Sequence, residues 1–187
     1  MSKVILNPPP NLLTNLVYIP EFINKEEEQN LLNQIEQLEW QKVIFFNKEA
    51  KRKAVHYGLD YSFDTRSVSP TIPAPPFLTA LIEKSAKLVN LNPEDLPEIL
   101  ITYYPIEAGI GWHRDAPVFD KIIGISLLNF CEMRLRKRSN HKEQFRVGLE
   151  PRSAYILSGA VRWGWEHSIF PLKSPRYSVT LRSLRKK

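Results

Sequence analysis

His113 and Asp115 stand two apart in the segment GWHRDAP, residues 111–117. On an extended segment side chains alternate between faces, so this imidazole and this carboxylate share one side while Arg114 points away. Such a pair can take neighbouring corners of an octahedral iron(II) site. One distant histidine would complete the ligand face and leave three positions for a co-substrate and dioxygen. The chain has four histidines: His56, His113, His141 and His167. His56 lies in an aromatic-rich irregular stretch, and His141 follows Ser139 and Asn140 in a turn-like sequence where an exposed ring is expected. His167 follows the compact run WGWE and precedes Ile169 and Phe170, an apolar segment able to return to the interior, and is the candidate third ligand. The bland alternative is two core histidines and a surface ion pair, because His-x-Asp alone is common.

The end of the chain carries a second pattern. Arg176, Ser178, Thr180 and Arg182 alternate with Tyr177, Val179 and Leu181, which places two arginines and two hydroxyls on one strand face. If the apolar face packs a sheet and the polar face lines a cleft, fixed guanidinium groups there need anionic partners. A small dicarboxylate would supply them, pairing bidentately with arginine while nearby hydroxyls satisfy its remaining oxygens. An ordinary edge strand with exposed arginines would read the same way.

These groups need a scaffold. Asn24 can cap a helix, Glu27 completes the reciprocal cap, and Leu31, Leu32, Ile35 and Leu38 recur at helical spacing. A second helix is expected from about Phe77 to Leu88. After Pro97 the pattern changes to short strands: Ile99 to Tyr104, Ile122 to Phe130, Glu132 to Lys137, Phe145 to Leu149, Ala154 to Leu157 and Arg176 to Arg182. Helices followed by many strands predict a mainly β fold with supporting α-helices, organised as a two-sheet jelly roll. Residues 45–76 show no persistent period and hold Gly58, several serines and prolines, and the aromatics Phe45, Phe46, Tyr57, Tyr61 and Phe63. So long a connection suggests a working lid. Pro8, Pro9 and Pro10 predict an extended arm at the start.

With 187 residues, 43% hydrophobic and 25% charged, a single domain over 1–187 is expected. The lone Cys131 excludes an intrachain disulfide and reads as a buried or half-buried thiol. No run approaches the roughly eighteen apolar residues of a membrane span, and the start MSKVILNPPPNLL lacks a targeting core. A cytoplasmic monomer is the expectation. A net charge of +6, with basic clusters at 51–53 and 134–138 and at the chain end, favours encounter with anionic partners such as nucleic acid.

Taken together, TYYPIEAGIGWHRDAP at 102–117, RSAYILSGAVRWGWEHSI at 152–169 and RYSVTLR at 176–182 resemble the AlkB-like branch of the iron(II)- and 2-oxoglutarate-dependent dioxygenases. KRKAVHYGLDYSF at 51–63 fits that family's substrate-covering lid. The resemblance runs from about Tyr18 to Arg182, and implies a double-stranded β-helix (cupin-like) core. It makes His113, Asp115 and His167 the iron ligands. Tyr104, nine positions before His113, and Arg176 would hold the distal carboxylate of 2-oxoglutarate, with Arg182 near the carboxylate that chelates iron. Two positions depart from the pattern: Thr102 and Ser178 stand where the family has asparagine. Each keeps a hydroxyl but loses an amide's paired donor and acceptor, which would rearrange the co-substrate contacts.

The resemblance further implies oxidative demethylation of alkylated nucleobases in DNA or RNA, with release of formaldehyde. Tyr57 and Tyr61 are candidate lid contacts to a base, and Arg134, Arg136 and Arg138, alternating on one strand, are candidate backbone contacts. Packing aromatics and a solvated arginine face are the competing readings. A protein side chain is the alternative substrate, and a non-catalytic nucleic-acid-binding module the third reading. Glu166, beside His167, is expected to point away from the metal and find a structural partner.

Overall fold

The computed structural model describes residues 15–45, 48–62 and 65–186. The expected proline-rich arm, together with Phe46 and Phe63, lies outside them. Helix α1 (Lys25–Ile35) starts as its sequence predicts: Asn24 accepts from the Glu27 amide and Glu27 accepts from the Asn24 amide, closing a capping box. Helix α2 (Thr79–Leu88) follows a short 3-10 turn at Pro76–Leu78. That turn occupies the start of the expected helix, with Pro76 at its first position, where the missing amide costs nothing. Helix α3 (Gly159–Gly164) is too short to leave a periodic signature.

Twelve strands among the described residues make two antiparallel sheets. They are β1 (Leu16–Ile19), β2 (Gln41–Phe45), β3 (Lys48–Ser62), β4 (Ser67–Pro70), β5 (Glu98–Tyr104), β6 (Ile110–His113), β7 (Phe119–Leu127), β8 (Cys131–Lys137), β9 (Asn140–Leu149), β10 (Ala154–Leu157), β11 (Trp165–Ile169) and β12 (Arg176–Leu184). The larger sheet runs β1-β10-β7-β12-β5-β3-β2, with β4 paired to β3. The smaller runs β6-β11-β8-β9. This is the expected mainly β, jelly-roll architecture.

The larger sheet buries both faces, for different reasons. Val55, Tyr57, Ile99, Ile101, Ile123, Ile125, Val179 and Leu181 meet Leu31, Leu32 and Ile35 of α1 and Leu81 of α2. Each such aliphatic side chain removed from water contributes about 1.5–3 kcal/mol. Alternation then turns Thr102, Tyr104, Ile122, Tyr155 and Leu157 toward the smaller sheet, where Tyr104, Ile122, Tyr155 and Leu157 pack with Met133, Leu135, Val147 and Trp165. The candidate site sits in this inter-sheet layer.

The stretch 45–76 is not irregular over most of its length. β3 is a fifteen-residue strand. Its first half projects as a hairpin with β2 and is largely exposed, so no apolar alternation marks it. Its second half joins β5 on one side and β4 on the other. Gly58, at φ +74°, lets the strand turn where any Cβ would strike the Pro97 carbonyl.

Candidate metal and co-substrate site

His113 and His167 are direct cross-strand partners on β6 and β11, with ring centroids 4.2 Å apart. A register shift between the His167 and Ile169 pairings sets three residues of β6 against two of β11. This bulge lets Ile110 join the interior cluster and His113 face His167, although they are three apart. Trp112 is thrown to the outer face. β6 ends at His113, so strand pleat alone does not aim Asp115. Two arginines do. Arg182 donates from Nε and Nη2 to Asp115 Oδ1 at 2.7 Å each. Arg162, buried in α3, donates from Nη2 to the carbonyls of Asp115, Ala116 and Phe119 at 3.2, 2.7 and 2.8 Å. Arg114 points away, as expected, to the Trp163 carbonyl.

The donor set suits a divalent cation. Asp115 Oδ2 is buried without a hydrogen-bond partner and lies 3.7 Å from His167 Nε2. His113 Nδ1 lies 2.9 Å from the Gly111 carbonyl. A carbonyl only accepts, so Nδ1 carries the proton and Nε2 keeps its lone pair. Burial would raise the Asp115 pKa, but Arg182, then His167, His113 and Arg162, hold it well below the usual carboxylate range. Burial also lowers His113 and, with His113 adding to it, pulls His167 down to about 3. One carboxylate and two neutral imidazoles are therefore the resting forms at neutral pH. Among the described residues no three such side chains are already drawn together as a finished ion cage; the approach is pairwise.

A pH dependence follows. The unfolded His167 imidazole protonates near 6.5 and the folded one near 3, so between these values the unfolded chain binds more protons. Apo stability should fall as pH drops through this window, by up to about 1.4 kcal/mol per unit from this group. Urea unfolding at a series of pH values checks it, and His167→Gln should flatten the slope.

Arg176 is 1% exposed. Its Nε donates to Ser126 Oγ at 3.1 Å and its guanidinium lies 5.6 Å from the Tyr104 ring. Among the described residues no carboxylate pairs with it, so this is a buried cation short of an anion. Ser178 pairs in register with Thr102 on one side and Ser126 on the other; Thr180 lies one step along the same buried face. Sequence reasoning missed Ser126 and Tyr155, whose ring covers Gly124 where a Cβ would collide with it. It also missed Glu98, Arg162 and Arg52, whose charge reaches both Tyr104 and His113.

The expected substrate contacts fare differently. Tyr61 packs at the site side, edge-on to Phe119 at 6.2 Å. Tyr57 does not reach the site. It is 4% exposed on the opposite, helix-backed face of the sheet, because alternation sends odd-numbered residues of this part of β3 there. Arg134 and Arg136 lie on the outer face of the small sheet, across it from His167. Arg134 stacks on Phe170 and Trp112 at 3.3 and 4.7 Å. Arg136 pairs with Glu166 at 2.7 Å, the structural partner expected for that glutamate. Arg138 falls in the turn beyond β8, so the three do not share a strand face.

The profile of the 2OG-Fe(II) oxygenase superfamily matches residues 15–185. The chain belongs to that superfamily, in its AlkB-like branch. It is 25% identical over 92% of its length to the alkylated DNA repair protein ALKBH8 homolog of Arabidopsis thaliana, and covers 59% of that protein. It is 28% identical over 88% of its length to the tRNA (carboxymethyluridine(34)-5-O)-methyltransferase alkbh8 of Xenopus tropicalis, and covers 26% of it. Against the DNA N6-methyl adenine demethylase of Caenorhabditis elegans the identity is 24%, over 93% of this chain and 61% of the relative. The solved structure of OsALKBH1 shares the fold, with TM-score 0.69 at 13% identity over 90% of this chain and 96% of that one. An AlkB-like dioxygenase of this superfamily is an enzyme using iron(II), 2-oxoglutarate and dioxygen. Among the described residues no helix is long and apolar enough to cross a membrane.

Proposed function

We propose that this AlkB-like dioxygenase oxidises an N-alkyl group on a nucleobase of DNA or RNA, the resulting hydroxymethyl group leaving as formaldehyde. In this reading His113, Asp115 and His167 hold iron, and Arg176 with Tyr104 and Ser126 holds the distal carboxylate of 2-oxoglutarate. The observation that carries it is the buried Arg176 guanidinium without a carboxylate partner, set in the same inter-sheet layer as an orphaned Asp115 oxygen. Each lacks what its own ligand would bring, an anion for Arg176 and a cation for Asp115. The names of the Arabidopsis, Xenopus and Caenorhabditis relatives support nucleic acid as the substrate class.

When bound, iron and 2-oxoglutarate supply the oxidising chemistry, consuming dioxygen and yielding succinate and carbon dioxide as one oxygen atom passes to the substrate carbon. The chain's own groups position and exclude. Arg182 occupies Asp115 Oδ1 and leaves Oδ2 for the metal. Gly111 fixes the His113 tautomer. Phe119 and Leu135 keep the layer apolar, and no side chain has to serve as general base. Arg52 on β3, whose charge reaches Tyr104 and His113, is in this reading the basic residue that would meet a phosphate, in place of the outer-face arginines.

The experiment supplies iron(II), ascorbate and 2-oxoglutarate with matched N-methylated single-stranded DNA, RNA, double-stranded DNA and peptides, and follows product mass, succinate and formaldehyde. Coupled turnover on a nucleic acid is expected; turnover confined to peptides would sink the reading. Arg52→Ala should weaken nucleic-acid binding evenly across sequences and lower its salt slope by about one.

A further inference from the structure

Behind the metal candidates lies a carboxylate that the chemistry above does not use. Glu98 begins β5, directly opposite Arg182 of β12, and is 1% exposed. Both its oxygens accept from Arg182 Nη1, at 2.8 and 2.7 Å. The other edge of the same guanidinium, Nε and Nη2, is spent on Asp115 Oδ1. His56 stands behind Glu98, its Nδ1 3.7 Å from Oε1 and 3.2 Å from Asp60 Oδ1. The order from the outside inward is Asp60, His56, Glu98, Arg182, Asp115. Arg182 is thus held between two buried carboxylates, one facing the site and one facing away.

We propose that Glu98 is a positioning residue for the metal, acting through Arg182; the assignment rests on Asp115 being a ligand. Two effects follow from the geometry. First, a guanidinium is a rigid fork, so fixing Nη1 fixes which edge meets Asp115 and hence which carboxylate oxygen stays free. Second, Arg182 places a full positive charge beside a site that must take a divalent cation. Glu98 offsets that charge at hydrogen-bond distance, in a layer where water cannot do so. Without it Arg182 would repel the metal and have a donor edge to spare. Outer-sphere partners of this kind alter metal affinity by about 10- to 100-fold.

The test is Mn(II) binding to the full chain, read from loss of the free-ion magnetic resonance signal. Parent protein should bind and His113→Ala should not; failure of the parent would overturn the metal reading and this assignment with it. Given parent binding, Glu98→Gln, nearly the same shape without the charge, should weaken Mn(II) affinity about tenfold or more. In an Arg182→Gln background the same change should cost nothing further, because its route is gone. Equal affinity in folded Glu98→Gln, or an undiminished loss in the Arg182→Gln background, overturns the proposal. Should Glu98→Gln prove insoluble, Glu98→Asp, whose shorter arm withdraws from Nη1, should show a smaller loss of the same sign; parent-like affinity there would count equally against it.

Discussion

Arg176→Leu should leave the apo protein at least as stable as its parent while 2-oxoglutarate binding weakens by roughly 30-fold to several thousand-fold. The two halves have one cause. A guanidinium buried to 1% exposure with Ser126 as its hydrogen-bonded partner has lost its hydration without gaining an anion. Replacing buried charge with an apolar side chain is often neutral or stabilising. Once a dicarboxylate arrives, the same group makes a charge-assisted bidentate contact, whose loss costs about 2–5 kcal/mol. At about 1.4 kcal/mol per tenfold, that is the range stated. Thermal unfolding with and without 2-oxoglutarate checks both parts: the parent should gain stability on adding it and the variant should not. A variant destabilised by several kcal/mol that still binds 2-oxoglutarate normally would show Arg176 to be a packing residue. Binding of succinate, which keeps a distal carboxylate, should weaken in parallel.

This site was unevenly legible in sequence. The alternation of 176–182 was readable because β12 lies in the middle of the larger sheet, with an apolar face under the helices and a polar face in the inter-sheet layer. His113 and His167 were readable as residue types, yet what joins them is a β-bulge, and no local pattern announces one. Glu98 was within reach: it is four positions before Thr102 on the same strand face, and extending the period one step past Ile99 would have found it. Arg162 was not, since a six-residue helix has no period and its hydrogen bonds go to carbonyls, which every residue has. The error at Tyr57 came from treating aromatic content as evidence of a lid. An aromatic on a strand backed by helices can as well pack beneath them as face the site, and register decides which. Arg134 and Arg136 failed for the related reason that a sheet has two faces and only one meets the metal candidates.

Asp115 and His113 should both be required for turnover, but they should fail in different ways. His113 is neutral, and its Nδ1 contacts the Gly111 carbonyl, so His113→Ala removes a metal ligand and leaves no stranded charge. Asp115 is the single anionic member of the candidate ligand set and one of two carboxylates holding Arg182. Asp115→Ala therefore takes away the ligand and also leaves a largely buried guanidinium with Glu98 alone. Removing one partner of a buried ion pair costs about 3–5 kcal/mol, and the surviving pair with Glu98 should keep the loss toward the lower end. Substrate-coupled succinate formation should fall to background in both variants. Urea unfolding of the apo proteins should separate them, His113→Ala near the parent and Asp115→Ala lower by about 3 kcal/mol. Equal stability of the two would mean that Arg182 is satisfied by Glu98 alone, and Asp115 would then owe its aim to Arg162 and the carbonyls that residue gathers. Asp115→Asn divides the effects again: it keeps an oxygen for Arg182 but gives up the negative charge, so it should recover part of the stability and none of the turnover.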